Sequence, residues 1–379
     1  MRARVIAYYL PQFHPIPEND KFWGKGFTEW TNVANAKPLF KGHYQPQIPA
    51  DLGFYDLRLP EVRAEQAKLA QEAGVEGFCY WHYWFGNGKK VLDMPFNEVL
   101  RLGEPDYPFC LGWANHSWTT KTWEKGKSFT KETTIFEQLY PGEEDYTRHF
   151  YDVLPAFKDH RYITVDGKPL FVVFAPEDIP DTEKFISLWN KLAQENGLKG
   201  VYFVGRCDAL PTLDASHLKK VDTLTKPRYD EILAKGYDGV NSITLKYAEL
   251  KSTGVIRKAI HSVLRKCFGG IVVDKYKYDK IMNNFITPED YNERIYPQLI
   301  PRRDRSPRSG RKAMIYYNST PEYFKVAAEN AVKCVEKRDE QHRLIFLNAW
   351  NEWGEGAYME PDLKFGHGYI EALREVLDK

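Results

Sequence analysis

Two glutamates three residues apart, Glu352 and Glu355, stand in the run Asn348-Ala-Trp-Asn-Glu-Trp-Gly-Glu-Gly356, directly after a short apolar stretch. Breaking a glycosidic bond calls for two carboxyl groups. One gives a proton to the leaving oxygen, and the other acts as base or nucleophile. Trp350 and Trp353 around them supply low-dielectric walls, which raise the pKa of a half-buried carboxyl, as an acid catalyst requires. The glycines allow close approach of the backbone. The same spacing also suits the first turn of a helix, where acidic side chains favour the dipole. The tryptophans and glycines at a strand exit favour the catalytic reading.

Other chemistry-bearing residues sit at the ends of other apolar runs. Tyr8, Gln12 and His14 follow the first, Tyr80, His82 and Trp84 close the second, and Trp113, Asn115 and His116 close the third. Arg206 ends the fifth, and Trp350, Asn351 and Trp353 surround the two glutamates. Glu29 and Trp30 lie in a Gly-rich loop after the first run, placed to close over a ligand or to be pinned as a surface loop by its aromatics. All of these are expected to bind substrate. His14, His82 and His116 come from three separate loops without H-x-H or H-x-x-x-H spacing, so hydrogen bonding to sugar hydroxyls is the expectation, and neither metal nor other cofactor is.

These residues converge only if the elements that carry them share one face. Apolar runs over 5–10, 77–85, 109–114, 169–175, 200–205, 313–318 and 344–349 read as strands, with a sixth at 223–227 or 239–243. Helical patterns over 59–73, 95–102, 143–160, 181–196, 321–338 and 368–377 alternate with them. The alternation predicts parallel pairing, and about eight units in 379 residues predict an α/β protein, a (β/α)8 TIM barrel, as a single domain. Barrels of this class place function at the C-terminal ends of their strands. No G-x-G-x-x-G follows the first strand, which argues against a dinucleotide-binding sheet.

The composition is that of a globular protein, 43% hydrophobic and 28% charged, and 15% aromatic residues suit both a large core and sugar stacking. A net charge of +1 gives no general attraction for nucleic acid, so none is expected as partner. Five dispersed cysteines without C-x-x-C, a first apolar run too short for a signal-peptide core, and no run of about 18 apolar residues lead to the expectation of a cytoplasmic protein. Residues 245–312 are expected to be an insertion before strand seven. Within it, 251–312 carries fifteen Lys and Arg against six Asp and Glu, including an amphipathic pattern over 255–268 and the run Pro301-Arg-Arg-Asp-Arg-Ser-Pro-Arg-Ser-Gly-Arg-Lys312. It reads as a solvated insertion or as a peripheral contact with an anionic membrane or phosphate groups.

The blocks Tyr8 to His14, Gly26 to Val33, Phe78 to Phe85, Trp113 to Asn115, Val165 to Phe171 and Asn348 to Gly356 together resemble the WbsX-like family, related to the endo-α-mannosidases of glycoside hydrolase family 99. The resemblance covers nearly the whole chain. It implies a (β/α)8 barrel and a retaining reaction through a 1,2-anhydro sugar, with Glu352 as base on the 2-hydroxyl and Glu355 as general acid/base. The chain departs from the family where it reads Ala114-Asn-His-Ser-Trp118 in place of A-N-E-N-W, and where Pro301 to Arg308 lacks the usual tryptophan. The family is also associated with transfer of sugars in surface-polysaccharide assembly. Three functions follow as expectations: an endo-acting glycoside hydrolase on a mannose-like poly- or oligosaccharide, a glycosyltransferase of O-antigen or surface polysaccharide, and a non-catalytic carbohydrate-binding barrel.

Overall fold

The computed structural model describes residues 2–119, 134–210, 225–254, 260, 263, 264 and 272–379. Eight strands form the centre: β1 (Arg4–Tyr9), β2 (Val75–Trp84), β3 (Phe109–Trp113), β4 (Lys168–Val173), β5 (Tyr202–Asp208), β6 (Gly239–Ile243), β7 (Ile295–Leu299) and β8 (Leu344–Leu347). Each pairs in parallel with the next, and β8 returns to β1. The result is the closed (β/α)8 barrel that the alternation predicts. Around it run α1 (Pro60–Glu72), α2 (Met94–Leu102), α3 (Glu143–Phe157), α4 (Thr182–Glu195), α5 (Thr225–Ala234), α6 (Leu245–Thr253), α7 (Pro321–Val335) and α8 (Gly368–Leu377).

Parallel strands covered on both faces read as continuous apolar runs, and these strands are buried almost throughout. Alternation then splits each strand between helices and barrel interior. Tyr9 points outward and donates its hydroxyl to Gln66 on α1 at 2.7 Å. Tyr8 points inward, stacks on Trp81 of β2 at 4.6 Å and donates to Asn241 of β6 at 2.9 Å. One layer lower the Tyr202 and Tyr296 hydroxyls meet at 2.5 Å. Arg4 grips Glu76 from two nitrogens, at 2.8 and 2.6 Å, near the N-terminal end. The interior is therefore filled up to the Tyr8 layer, as in barrels generally.

The seventh strand is not where the apolar pattern puts it. Met314–Tyr317 pairs in parallel with Asp274–Lys277 and antiparallel with Arg303–Asp304, in a three-stranded sheet outside the barrel. The barrel position belongs to Ile295–Leu299, which lies within the stretch expected to be an insertion. Its central Pro297 lacks an amide hydrogen and so argues against a central strand in sequence reasoning. Residues 245–294 precede this strand and 300–312 follow it, so the arginine-rich run belongs to the loop after β7. The sixth strand is Gly239–Ile243, while residues 225–227 open α5. The amphipathic pattern over 255–268 lies outside the described residues except at 260, 263 and 264. Among the described residues, no helix is long and apolar enough to cross a membrane.

Candidate active site

A cavity of about 630 Å3 opens above the Tyr8 layer, at the C-terminal ends of the strands. Every strand exit contributes to its wall: Gln12 after β1, Trp81 and Tyr83 on β2, His116 and Trp118 after β3, and Phe174 after β4. Arg206 and Asp208 come from β5, Lys246 and Glu249 follow β6, Arg303, Arg305 and Arg308 follow β7, and Asn348, Glu352 and Glu355 follow β8. Its size lies within the ~300–1,000 Å3 of ligand pockets, and its mixture of rings and polar groups is that of a sugar site.

Arg308 organises the acidic side of this cavity. Its Nη1 donates to Glu352 at 2.9 Å and to Glu355 at 2.8 Å, and its Nη2 donates to Glu29 at 2.8 Å. Arg303 and Arg305 reach Glu355 at 3.2 and 3.1 Å. The loop that supplies these arginines is anchored by Asp304, whose carboxylate takes bonds from Gln45 and the backbone amide of Ser306 and lies 2.7 Å from the ring nitrogen of His43. Glu29 comes from the short helix Glu29–Ala34, whose Thr28 and Thr31 form a capping box. Thus loops from β1, β7 and β8 meet on one guanidinium.

The two site glutamates differ electrostatically. Burial raises the Glu352 carboxyl, the charge of Glu355 raises it further, and Arg308 and Arg303 only partly offset this. Burial also acts upward on Glu355, but Arg305, Arg303 and Arg308 outweigh it and hold this carboxyl well below the usual range. Burial pushes Glu29 up to about 7 against the pull of Arg308. In the ligand-free site the proton is therefore held more readily on Glu352, and Glu355 is an anion.

Of the residues expected to bind substrate, Gln12, His116 and Arg206 share the cavity with Glu352 and Glu355. Tyr8 forms the layer beneath. Glu29 lies behind Arg308, fully buried. Tyr80, His82 and Trp84 face outward from β2: Tyr80 packs on Tyr9 and Phe96, His82 meets His149 of α3 at 2.9 Å, and Trp84 donates to Asp145 at 2.9 Å. Burial lowers His82 to about 4, so it is a neutral core histidine. Trp113 donates to the carbonyl of Trp84, and Asn115 exchanges two bonds at 2.8 Å with the backbone of Ala175. Asn351 similarly latches the backbone of Leu10. Trp30 is tied to Tyr55, Trp353 to Glu360, and Trp350 packs on Phe78. His14 is buried near Asp56 and Arg58, away from the cavity. These side chains position the strand exits. The three candidate histidines stand apart, and no group of three or more His, Cys, Asp or Glu suited to a metal occurs among the described residues.

Trp81, Tyr83, Trp118, Phe174, Asp208, Lys246, Glu249, Asn348, Arg303, Arg305 and Arg308 are further cavity residues outside the set expected to bind substrate. On β2 the period of two separates Trp81 and Tyr83 from Tyr80 and His82, and the pairing Tyr8↔Cys79, known only from the structure, decides which set faces inward. The arginines of the β7 loop turn inward onto carboxylates: Arg302 onto Asp362, the other three onto the site glutamates.

Gly354 sets how closely this network packs. A Cβ there would sit 1.8 Å from Glu29 Oε2 and 2.9 Å from Arg308 Nε. Gly354→Ala is therefore expected to displace the Glu29 carboxylate and destabilise the fold by about 1–3 kcal/mol, the usual scale of overpacking. Denaturant unfolding checks this, and an unchanged midpoint would show that the contact has slack.

A closed parallel barrel with paired carboxylates at its C-terminal mouth has the architecture of a carbohydrate-active enzyme. The chain belongs to the family described as glycosyltransferase WbsX, which matches residues 5–373. It is 34% identical over 380 residues to proteins named WxcX, described as uncharacterized, from two strains of Xanthomonas campestris pv. campestris. That match takes in 100% of this chain and 50% of the relative, so the chain spans about half the length of the curated relatives it matches. Among solved structures, a glycoside hydrolase-like protein superposes with a TM-score of 0.57 at 14% identity, covering 99% of this chain and 93% of the other. The family 99 endo-α-mannosidase of Bacteroides thetaiotaomicron, in complex with bis-tris-propane, gives 0.54 at 14% identity, with 99% and 96% covered. At such identity these likenesses support the barrel fold.

Proposed function

We propose that the chain is a glycoside hydrolase, retaining and endo-acting on a mannose-like bacterial poly- or oligosaccharide. The observation that carries this reading is the pair Glu352 and Glu355, bonded to one Arg308 nitrogen on the wall of a sugar-sized cavity. One carboxylate removes the proton of the substrate 2-hydroxyl, whose oxygen attacks the anomeric carbon to form a 1,2-anhydro sugar. The other protonates the departing glycosidic oxygen, then draws a proton from water as that water attacks the anomeric carbon, while the first carboxyl returns its proton to the 2-oxygen and the anhydro ring opens. Retention follows from two inversions. The charge pattern of the ligand-free site favours Glu352 as proton donor and Glu355 as base, the reverse of the assignment implied by the family resemblance.

The family description supports a second reading, transfer of a sugar during surface-polysaccharide assembly. A donor phosphate, or an anionic membrane, would then meet the 251–312 segment at Lys275, Lys277 and Lys280, which line a separate cavity of about 610 Å3 with Phe40 and Tyr317, because the arginines at 302–308 are engaged inside. A non-catalytic sugar-binding barrel would not need both glutamates. A cytoplasmic setting accords with the four described cysteines being free thiols.

The test is release of new reducing ends from α-mannans and bacterial O-polysaccharides. Wild type is expected to release them, and Glu355→Gln and Glu352→Gln are each expected to lose release by on the order of 10²–10⁴ while still binding glycan. Release by none of the three, with turnover of a sugar-nucleotide donor by wild type, would replace hydrolysis with transfer.

A further inference from the structure

We propose that Arg206 receives a carboxylate carried by the glycan, so that the substrate of this cavity is an acidic saccharide. The proposal rests on the reading of the cavity as a glycan site and does not depend on whether that glycan is hydrolysed.

The guanidinium of Arg206 lies in a cleft of rings, with its central carbon 4.5 Å from the centre of Phe174, 5.3 Å from Tyr8 and 5.4 Å from Trp81. Contact with rings engages the face of a guanidinium and leaves the N–H groups at its edge to find acceptors. None is supplied. Among the described residues, Arg206 has no carboxylate partner, and its Nε is shut off from solvent without a hydrogen bond. A buried donor left in this state costs about 1–3 kcal/mol, which a ligand acceptor would recover.

The other cations of the wall are engaged. Lys246 lies 3.2 Å from Asp208, and Arg303, Arg305 and Arg308 hold Glu355. Among the described residues, Arg206 thus stands on the wall without a carboxylate beside it. The corner it occupies has a further unmet polar group, Nδ1 of His116, whose ring packs on Phe174 at 4.6 Å. Burial and the Arg206 charge lower His116 to about 4, so it stays neutral and serves as a hydrogen-bonding group. One planar fork without a carboxylate of its own, flanked by a neutral histidine, suits a carboxylate among hydroxyls.

Calorimetric titration of wild type with methyl glycosides of glucuronic, galacturonic and mannuronic acid, each against its neutral methyl hexoside, reads this directly. At least one uronoside is expected to bind on the order of tenfold more tightly than its neutral counterpart. Arg206→Met is expected to bring that ratio close to one. No uronoside preference in wild type, or a preference that survives Arg206→Met, overturns the assignment. So does tighter binding of a glycerophosphoryl hexoside than of any uronoside. Should the Met variant fail to fold, Arg206→Lys carries the test. It keeps the charge and loses the fork, and an undiminished ratio overturns the proposal. A uronoside preference erased by substitution, with no glycan cleaved by wild type, would sink hydrolysis and keep this site. Cleavage of neutral glycans that is indifferent to Arg206→Met would do the reverse.

Discussion

Arg308→Met is expected to destabilise the fold by about 3–5 kcal/mol near neutral pH, the cost of leaving buried charge unpaired. Arg308 donates to Glu29, Glu352 and Glu355, so its loss takes the ion-pair partner from Glu29 and Glu352 and leaves Glu355 to Arg303 and Arg305. Their folded pKa values would rise, starting for Glu29 from about 7 against an unfolded value near 4.5. Between the unfolded and the raised folded values, the native state holds protons that the unfolded chain has released, so stability falls as pH rises. The deficit of the variant relative to wild type should therefore be largest at pH 8 and shrink towards pH 5. Denaturant unfolding at the two values measures it. A variant as stable as wild type at pH 8 would mean that Arg308 is not the counter-charge of this cluster.

The second large effect separates the roles of the two glutamates. Both Gln variants should fail on an unactivated glycan. A substrate with an aryl or fluoride leaving group needs no proton at its departure, so it should restore the variant lacking the acid and not the one lacking the base. The charge pattern predicts first-turnover release of the activated leaving group by Glu352→Gln, with later turnovers still slow because the same carboxyl activates water, and no release by Glu355→Gln. It also fixes the sign of the pH profile. Activity falls on the alkaline side as Glu352, with its raised pKa, loses its proton, and on the acid side only as Glu355, depressed by three arginines, gains one. Recovery of Glu355→Gln alone would return the acid role to Glu355, as the family resemblance implies.

The barrel was legible because parallel strands covered on both faces leave unmistakable apolar runs, such as Leu170–Val173 within β4. Strand seven was not, since Pro297 breaks the expected pattern while the more apolar Met314–Tyr317 imitates it. The glutamate pair could be picked out from its tryptophans and glycines. The wall around it could not be assigned side chain by side chain, because which of Tyr80 and Trp81 faces inward depends on a register that only closure of the barrel sets. Arg303, Arg305 and Arg308 were hidden for a different reason. A dense basic run looks solvated until the carboxylates that neutralise it, distant in sequence, are brought alongside.

The meeting of three loops on Arg308 divides the mouth of the barrel into halves with different freedom to vary. On the side of β1, β7 and β8, a change at Glu29, Gly354, Glu352 or Glu355 alters the surroundings of the others through the shared guanidinium, so viable changes there would have to arrive in combination. On the side of β3 to β6, His116 and Arg206 share the ring of Phe174 and Lys246 pairs with Asp208, contacts separate from the bonds of Arg308 to Glu29, Glu352 and Glu355. A lineage built on this scaffold could thus keep its bond chemistry fixed while drifting from one decorated glycan to another.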